Sequence, residues 1–142
     1  LLERPVEFFT WKDSFCIGID TLDAQHRSLL ECLNDCHRQV TSHKGAPLDP
    51  ALLARLSAYA AHHFASEETM MYAFGYREVA AQRREHAAFR ARVAELEEAR
   101  AKGVFLSAED VLTFLRDWVL QHVLGEDRKF AVVVLAAKPS EP

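Results

Sequence analysis

Five side chains able to bind a metal, His26, His63, Glu67, His86 and His122, stand where helical periodicity puts core positions. His63 and Glu67 are at i and i+4, so both project from one helix face a single turn apart. Asp127 lies five residues beyond His122. Five steps of about 100° leave it about 140° off that face in an ideal α-helix. It joins the others only if the helix is locally widened, and Gly125 between them gives that distortion room. Burying two carboxylates costs several kcal/mol each unless positive charge meets them. The same stripes carry no Lys or Arg at that level, so a pair of metal ions is the counter-charge the pattern implies. Imidazole with carboxylate suits iron, zinc or manganese, and the lack of cysteine on the stripes disfavours thiolate-loving metals.

Four helical patterns must position these groups. The first covers 21–41, with Leu22, His26, Leu29, Leu30, Leu33 and Val40 on one face. A loop at 42–50 follows, marked by Gly45, Pro47 and Pro50. The second, 51–74, turns Leu56, Tyr59, His63, Glu67, Met70 and Phe74 inward and ends at Gly75. The third, 78–101, carries Gln82, His86, Phe89, Val93 and Leu96, and Gly103 closes it. Ser107 is a fitting N-cap for the fourth, which turns Val111, Leu115, Trp118 and His122 inward and continues as a helix through the valines at 132–134. Helices of 20 to 24 residues are each about 30 Å long. Joined by short connections, four of them make an all-α, up-down-up-down four-helix bundle. The expected organisation is an extended N-terminal arm at 1–19, rich in aromatics, a helical domain at 20–137 and a tail at 138–142.

The chain has 142 residues, a length that fits one domain. Its 17 basic and 21 acidic residues give a net charge of −4, which lacks the footprint of a nucleic-acid binder. The longest strongly apolar run, 130–137, is far short of the roughly 20 residues of a membrane helix. Three cysteines without a C-x-x-C pair argue against a disulfide framework and for a reducing cytoplasm. Cys32 and Cys36 are expected as plain thiols on the surface of the first helix. The start at Leu1 and the Pro-Ser-Glu-Pro ending fit a domain excised from a longer protein.

Several stretches together resemble one family. They are Gly18-Ile19-Asp20 with Leu22-Asp23-Ala24-Gln25-His26, then His63-Phe64-Ala65-Ser66-Glu67-Glu68 with Met70 and Met71, then Glu85-His86 with Phe89, and Trp118 with His122 and Asp127. In this order they resemble hemerythrin, specifically the bacterial hemerythrin-like domains, over about residues 9–130. The resemblance implies two non-haem irons joined by a bridging oxo or hydroxo group and by two carboxylates. Glu67 and Asp127 would be the bridges, and His26, His63, His86 and His122 the terminal ligands. It also implies O2 bound end-on at the less-coordinated iron, behind an apolar wall for which Leu29, Phe64, Trp118, Val119 and Val123 are the candidates.

One position departs from the family. Its third helix usually carries H-x-x-x-H, whereas this chain has Gln82-Arg83-Arg84-Glu85-His86. Gln82 either coordinates weakly through its amide oxygen or leaves the position to water. In both cases the iron at His86 and His122 becomes more open. The reading that follows is binding or sensing of O2, peroxide or redox state, with a fused signalling output domain as partner. A di-iron peroxidase- or oxidase-like enzyme, or a store or carrier of O2 or iron, is the alternative.

Overall fold

The computed structural model describes residues 16–42 and 47–137, so the expected arm falls almost wholly outside the described residues, as does the tail. Within them the chain forms α1 (Asp20–Ser42), α2 (Pro50–Ala73), α3 (Val79–Ala101) and a composite fourth rod. That rod runs without a break through α4 (Ala108–Trp118), a π-helical segment (Val119–Glu126) and α5 (Asp127–Ala137). The protein is a four-helix bundle in which α1 packs on α2 and α4, and α2 on α3.

Local chemistry sets the helix ends. The Asp49 carboxylate accepts a hydrogen bond from the Ala51 N–H at 3.0 Å, with Pro50 opening α2. Ser107 does the same for α4, accepting from the Glu109 N–H at 3.2 Å. Gly75 and Gly103 follow the ends of α2 and α3 with φ of 63° and 79°. This left-handed geometry lets the Tyr76 N–H reach back to Met71 O and the Val104 N–H to Ala99 O, each at 2.9 Å.

The apolar core is divided. One large cluster includes Leu29, Leu33, Leu56, Phe64, Phe89, Leu115, Trp118, Val119 and Val123. A smaller one holds Ile17, Ile19, Leu22, Met71, Tyr76, Phe130, Ala131 and Val134. Cys32 and Cys36 belong to the large cluster and are not surface thiols. α1 touches helices on two sides, so its buried arc is wider than the histidine stripe. The Cys36 thiol meets Ala108 O at 3.2 Å, and burial pushes its pKa up to about 11. No helix among the described residues is long and apolar enough to cross a membrane.

Candidate metal centre

A layer of polar groups lies in the bundle interior. His26, His63, Glu67, His86, His122 and Asp127 are each 0% exposed, and Gln82 is 1%. α1 contributes His26, α2 His63 and Glu67, and α3 Gln82 and His86. The fourth rod supplies His122 and Asp127 through its π segment. There the Asp127 N–H bonds to His122 O, five residues back. That wider turn brings the Asp127 carboxylate onto the side of His122, with Oδ1 3.1 Å from His122 Nε2.

The contacts sort into two halves. In the first, His26 Nε2 is 3.0 Å from both His63 Nε2 and Asp127 Oδ2. Glu67 Oε1 is 3.5 Å from His26 Nε2 and closer still to His63 Nε2. In the second, His86 Nε2 is 3.2 Å from His122 Nε2 and 3.1 Å from Glu67 Oε2, and Asp127 Oδ1 faces His122. Each carboxylate thus turns one oxygen to each half. In one half His26, His63, Glu67 and Asp127 present donor atoms all within 4.8 Å of one another, and in the other Glu67, His86 and His122 do so.

Neighbours fix which ring nitrogens face inward. Ser66 Oγ–H donates to His62 O at 2.9 Å, so towards Gln25 Ser66 can only accept, from the amide nitrogen at 3.1 Å. Gln25 Oε1 is then left to accept from His63 Nδ1–H at 2.6 Å. The Glu68 carboxylate likewise accepts from His86 Nδ1–H at 3.1 Å and is anchored by Arg83, with Nε 3.3 Å away. Both Nε2 lone pairs therefore aim at the centre of the layer, which is the tautomer a metal requires.

Aromatic plates hold three of the rings. Phe64 stacks on His86 and Trp118 on His122, both with centroids 4.0 Å apart, and Tyr59 stacks on His63 at 4.9 Å. Trp118 Nε1–H donates to the Tyr59 hydroxyl at 3.4 Å. Burial, with the nearby Glu67 and Asp127 charges, pushes the Tyr59 hydroxyl pKa well above its usual value. Leu29, Val119 and Val123 are buried among the same apolar residues. Two surface clefts come up to the layer. One, of about 330 Å³, is lined by Gln25, Tyr59 and His63 among others, and one of about 260 Å³ is lined by Glu85, Trp118 and His122 among others.

The electrostatics are those of a site short of positive charge. Burial alone opposes protonation of His26, yet Asp127 and Glu67 outweigh it and hold its pKa up to about 9. Burial opposes the His122 charge too, and the same two carboxylates push that pKa up to about 10. Burial pushes Glu67 up, but His63, His122 and His26 hold it well below the usual carboxylate range. Asp127 is raised by burial and by Glu67, and His122 and His26 bring it down overall. Two imidazolium protons thus stand against two carboxylates. Glu67 Oε1 and Gln82 Oε1 remain buried without a hydrogen-bond donor. Unsatisfied buried acceptors and converging nitrogen lone pairs are the donor set of a cation site, so these residues fit a pair of metal ions.

The Gln82 side chain is buried in the same layer. Its amide nitrogen donates to Asp127 Oδ1 at 3.3 Å. The groups that sequence reasoning passed over as functional are Gln25, Glu68 and Glu85, the last with Oε1 3.5 Å from His122 Nδ1. The available signal was position: each stands one residue from an inward-pointing group, hence about 100° round its helix, on the flank that meets a neighbour.

Fold and site together define a four-helix-bundle protein whose polar core could hold cations. The family described as hemerythrin HHE cation binding domain matches residues 17–133. This chain belongs to that family. It is 36% identical over 126 residues to a bacteriohemerythrin of Stenotrophomonas maltophilia, covering 89% of this chain and 81% of the relative. It is 28% identical over 123 residues to a myohemerythrin of Riftia pachyptila, covering 86% and 90%. The crystal structure of wild-type hemerythrin superposes with a TM-score of 0.73 at 25% identity, over 89% of this chain and 98% of that one.

Proposed function

We propose that this chain is a non-haem di-iron domain that binds O2 and senses redox state. One observation carries the reading: four imidazole Nε2 atoms converge in two pairs, and Glu67 and Asp127 each give one oxygen to either pair. His26 and His63 would hold one iron and His86 and His122 the other, with the two carboxylates spanning both. When bound, an iron pair supplies the electrons that O2 takes up on binding and gives back on release.

The protein's own part is positioning and exclusion. Gln25 and Glu68 hold the His63 and His86 rings with Nε2 inward. Phe64 and Trp118 cover the rings of His86 and His122 and keep bulk water from them, while Leu29, Val119 and Val123 extend the apolar wall. Gln82, where the family usually has a histidine, would offer the half of His86 and His122 a neutral amide, weaker than an imidazole. That supports short-lived oxygenation and sensing over long-term carriage, with shape changes leaving through the fourth rod to a signalling output.

Anaerobic loading with Fe(II), metal analysis and optical spectra before and after air test this. Two irons per chain and an oxygenated band that decays rapidly to the oxidised form are expected. Failure to take up iron would overturn the di-iron reading. A band that forms and vanishes reversibly over many cycles would overturn sensing in favour of carriage, and sustained peroxide consumption would favour an enzyme.

A further inference from the structure

Around the inner layer runs a partial outer ring in which α1 and α2 each lend a polar group to the histidine of the next helix. Gln25 on α1 serves His63 on α2, at 2.6 Å. Glu68 on α2 serves His86 on α3, at 3.1 Å. Glu85 on α3 approaches His122 on the fourth rod, at 3.5 Å. That last approach is an ion-pair distance only, for His122 Nδ1, like His26 Nδ1, has no hydrogen-bond partner.

The ring is electrically lopsided. His63 leans on a neutral amide, whereas His86 leans on a carboxylate and His122 has one within reach. A carboxylate accepting the Nδ1–H draws that proton towards itself and leaves Nε2 a stronger donor, an effect on which metal affinity depends about 10- to 100-fold. The lopsidedness falls on the half that needs it. On the reading above, that is where Gln82 would stand in place of an imidazole, and its amide N–H is spent on Asp127 Oδ1, at 3.3 Å. Arg83 and Arg90, 3.3 and 3.7 Å from Glu68, keep its carboxylate in place. Arg90 in turn lies over the ring of Phe64, 5.2 Å from its centroid, and Phe64 stacks on His86.

We propose that Glu68, seconded by Glu85, is a positioning residue that makes the His86–His122 half the electron-rich half of the site, so that this half takes the first metal ion and holds the higher-valent iron. The inference rests on the two-metal reading given above. It adds that the outer carboxylates offset the imidazole that Gln82 does not provide.

Zn(II) binding by the metal-free chain separates the two claims. The wild type is expected to bind two ions in unequal steps. Anomalous scattering from crystals given one equivalent should place zinc between His86 and His122. Glu68→Gln keeps the shape and removes the charge, and should weaken that step about 10- to 100-fold while sparing the other. Gln25→Glu, which disturbs neither arginine, should strengthen the His63 half and narrow the gap between steps, and so carries the test if Glu68→Gln fails to fold. In iron-loaded protein, Glu68→Gln should raise the potential of one couple and leave the second unmoved. Adding Gln82→His should restore it. Zinc going first to His26 and His63 would overturn the proposal, as would equal weakening of both steps, the mark of a merely structural role. Chains that bind fewer than two ions would overturn the two-metal reading and this inference with it.

Discussion

Metal uptake should drive protons out, and the number follows from the interior. In the metal-free chain, Asp127 and Glu67 keep His26 and His122 protonated, with pKa values of about 9 and about 10. A metal needs both Nε2 lone pairs, so at pH 7.5 filling the two halves releases about two protons per chain. The overall binding constant should then rise about 100-fold per pH unit between pH 7 and 9, flattening above 10. Titration calorimetry with Zn(II), repeated in buffers of different ionisation enthalpy, counts the protons directly. The same histidines act on folding. Their folded pKa values lie above the unfolded value of 6.5, so the stability they lend the metal-free chain is complete below pH 6.5 and is lost as pH climbs through 9 to 10. The metal-free thermal midpoint should therefore fall between pH 7 and 10 while the loaded chain, whose ligands carry no proton, lacks that loss. Release of no protons, or parallel pH profiles for the two forms, would refute the claim that protons and metal ions compete for the same nitrogens.

Glu67→Ala removes one oxygen from each half, so metal analysis should find fewer than two ions per chain. Breaking buried charge pairs in this way should also cost the metal-free fold about 3–5 kcal/mol in denaturant titrations. Gln82→His should complete a third imidazole for the second half, and stopped-flow spectroscopy should show a longer-lived oxygenated form; an unchanged decay would refute the role given to the amide. Phe64→Ala opens a cavity in a side chain with 0% exposure. It should cost about 3–5 kcal/mol, and by admitting water beside His86 it should speed oxidation of the loaded protein in air.

The bundle and the members of its polar layer were legible because they follow a single period. A histidine or glutamate at i, i+3, i+4 is as visible as a leucine. Even the distortion at Asp127 was written in its spacing, since five residues after His122 suits a π turn and no α turn. Other features depend on which helix stands beside which. Cys32 and Cys36 looked exposed when measured from the histidine stripe, yet α1 is covered on both flanks and its buried set extends from Leu22 to Cys36. Gln25 and Glu68 stand off the inward stripes, and only the neighbouring helix puts a ring nitrogen against each, while Glu85 comes within 3.5 Å of His122 Nδ1. Gln82 was legible as a departure, but its hydrogen bond to Asp127 required the π turn.

The layer also explains why the core comes in two parts. Charged groups cannot share a dry cluster with leucines unless their charges cancel, so the apolar side chains gather above and below and the ionisable ones face each other between. Without a metal, protons on His26 and His122 would bring two positive charges to the two carboxylates. Bound metal ions would take the place of those protons, beside the His63 and His86 rings that Gln25 and Glu68 orient. What a bound metal would add is charge at the positions that the helices, the π turn and the two apolar clusters set for the donor atoms.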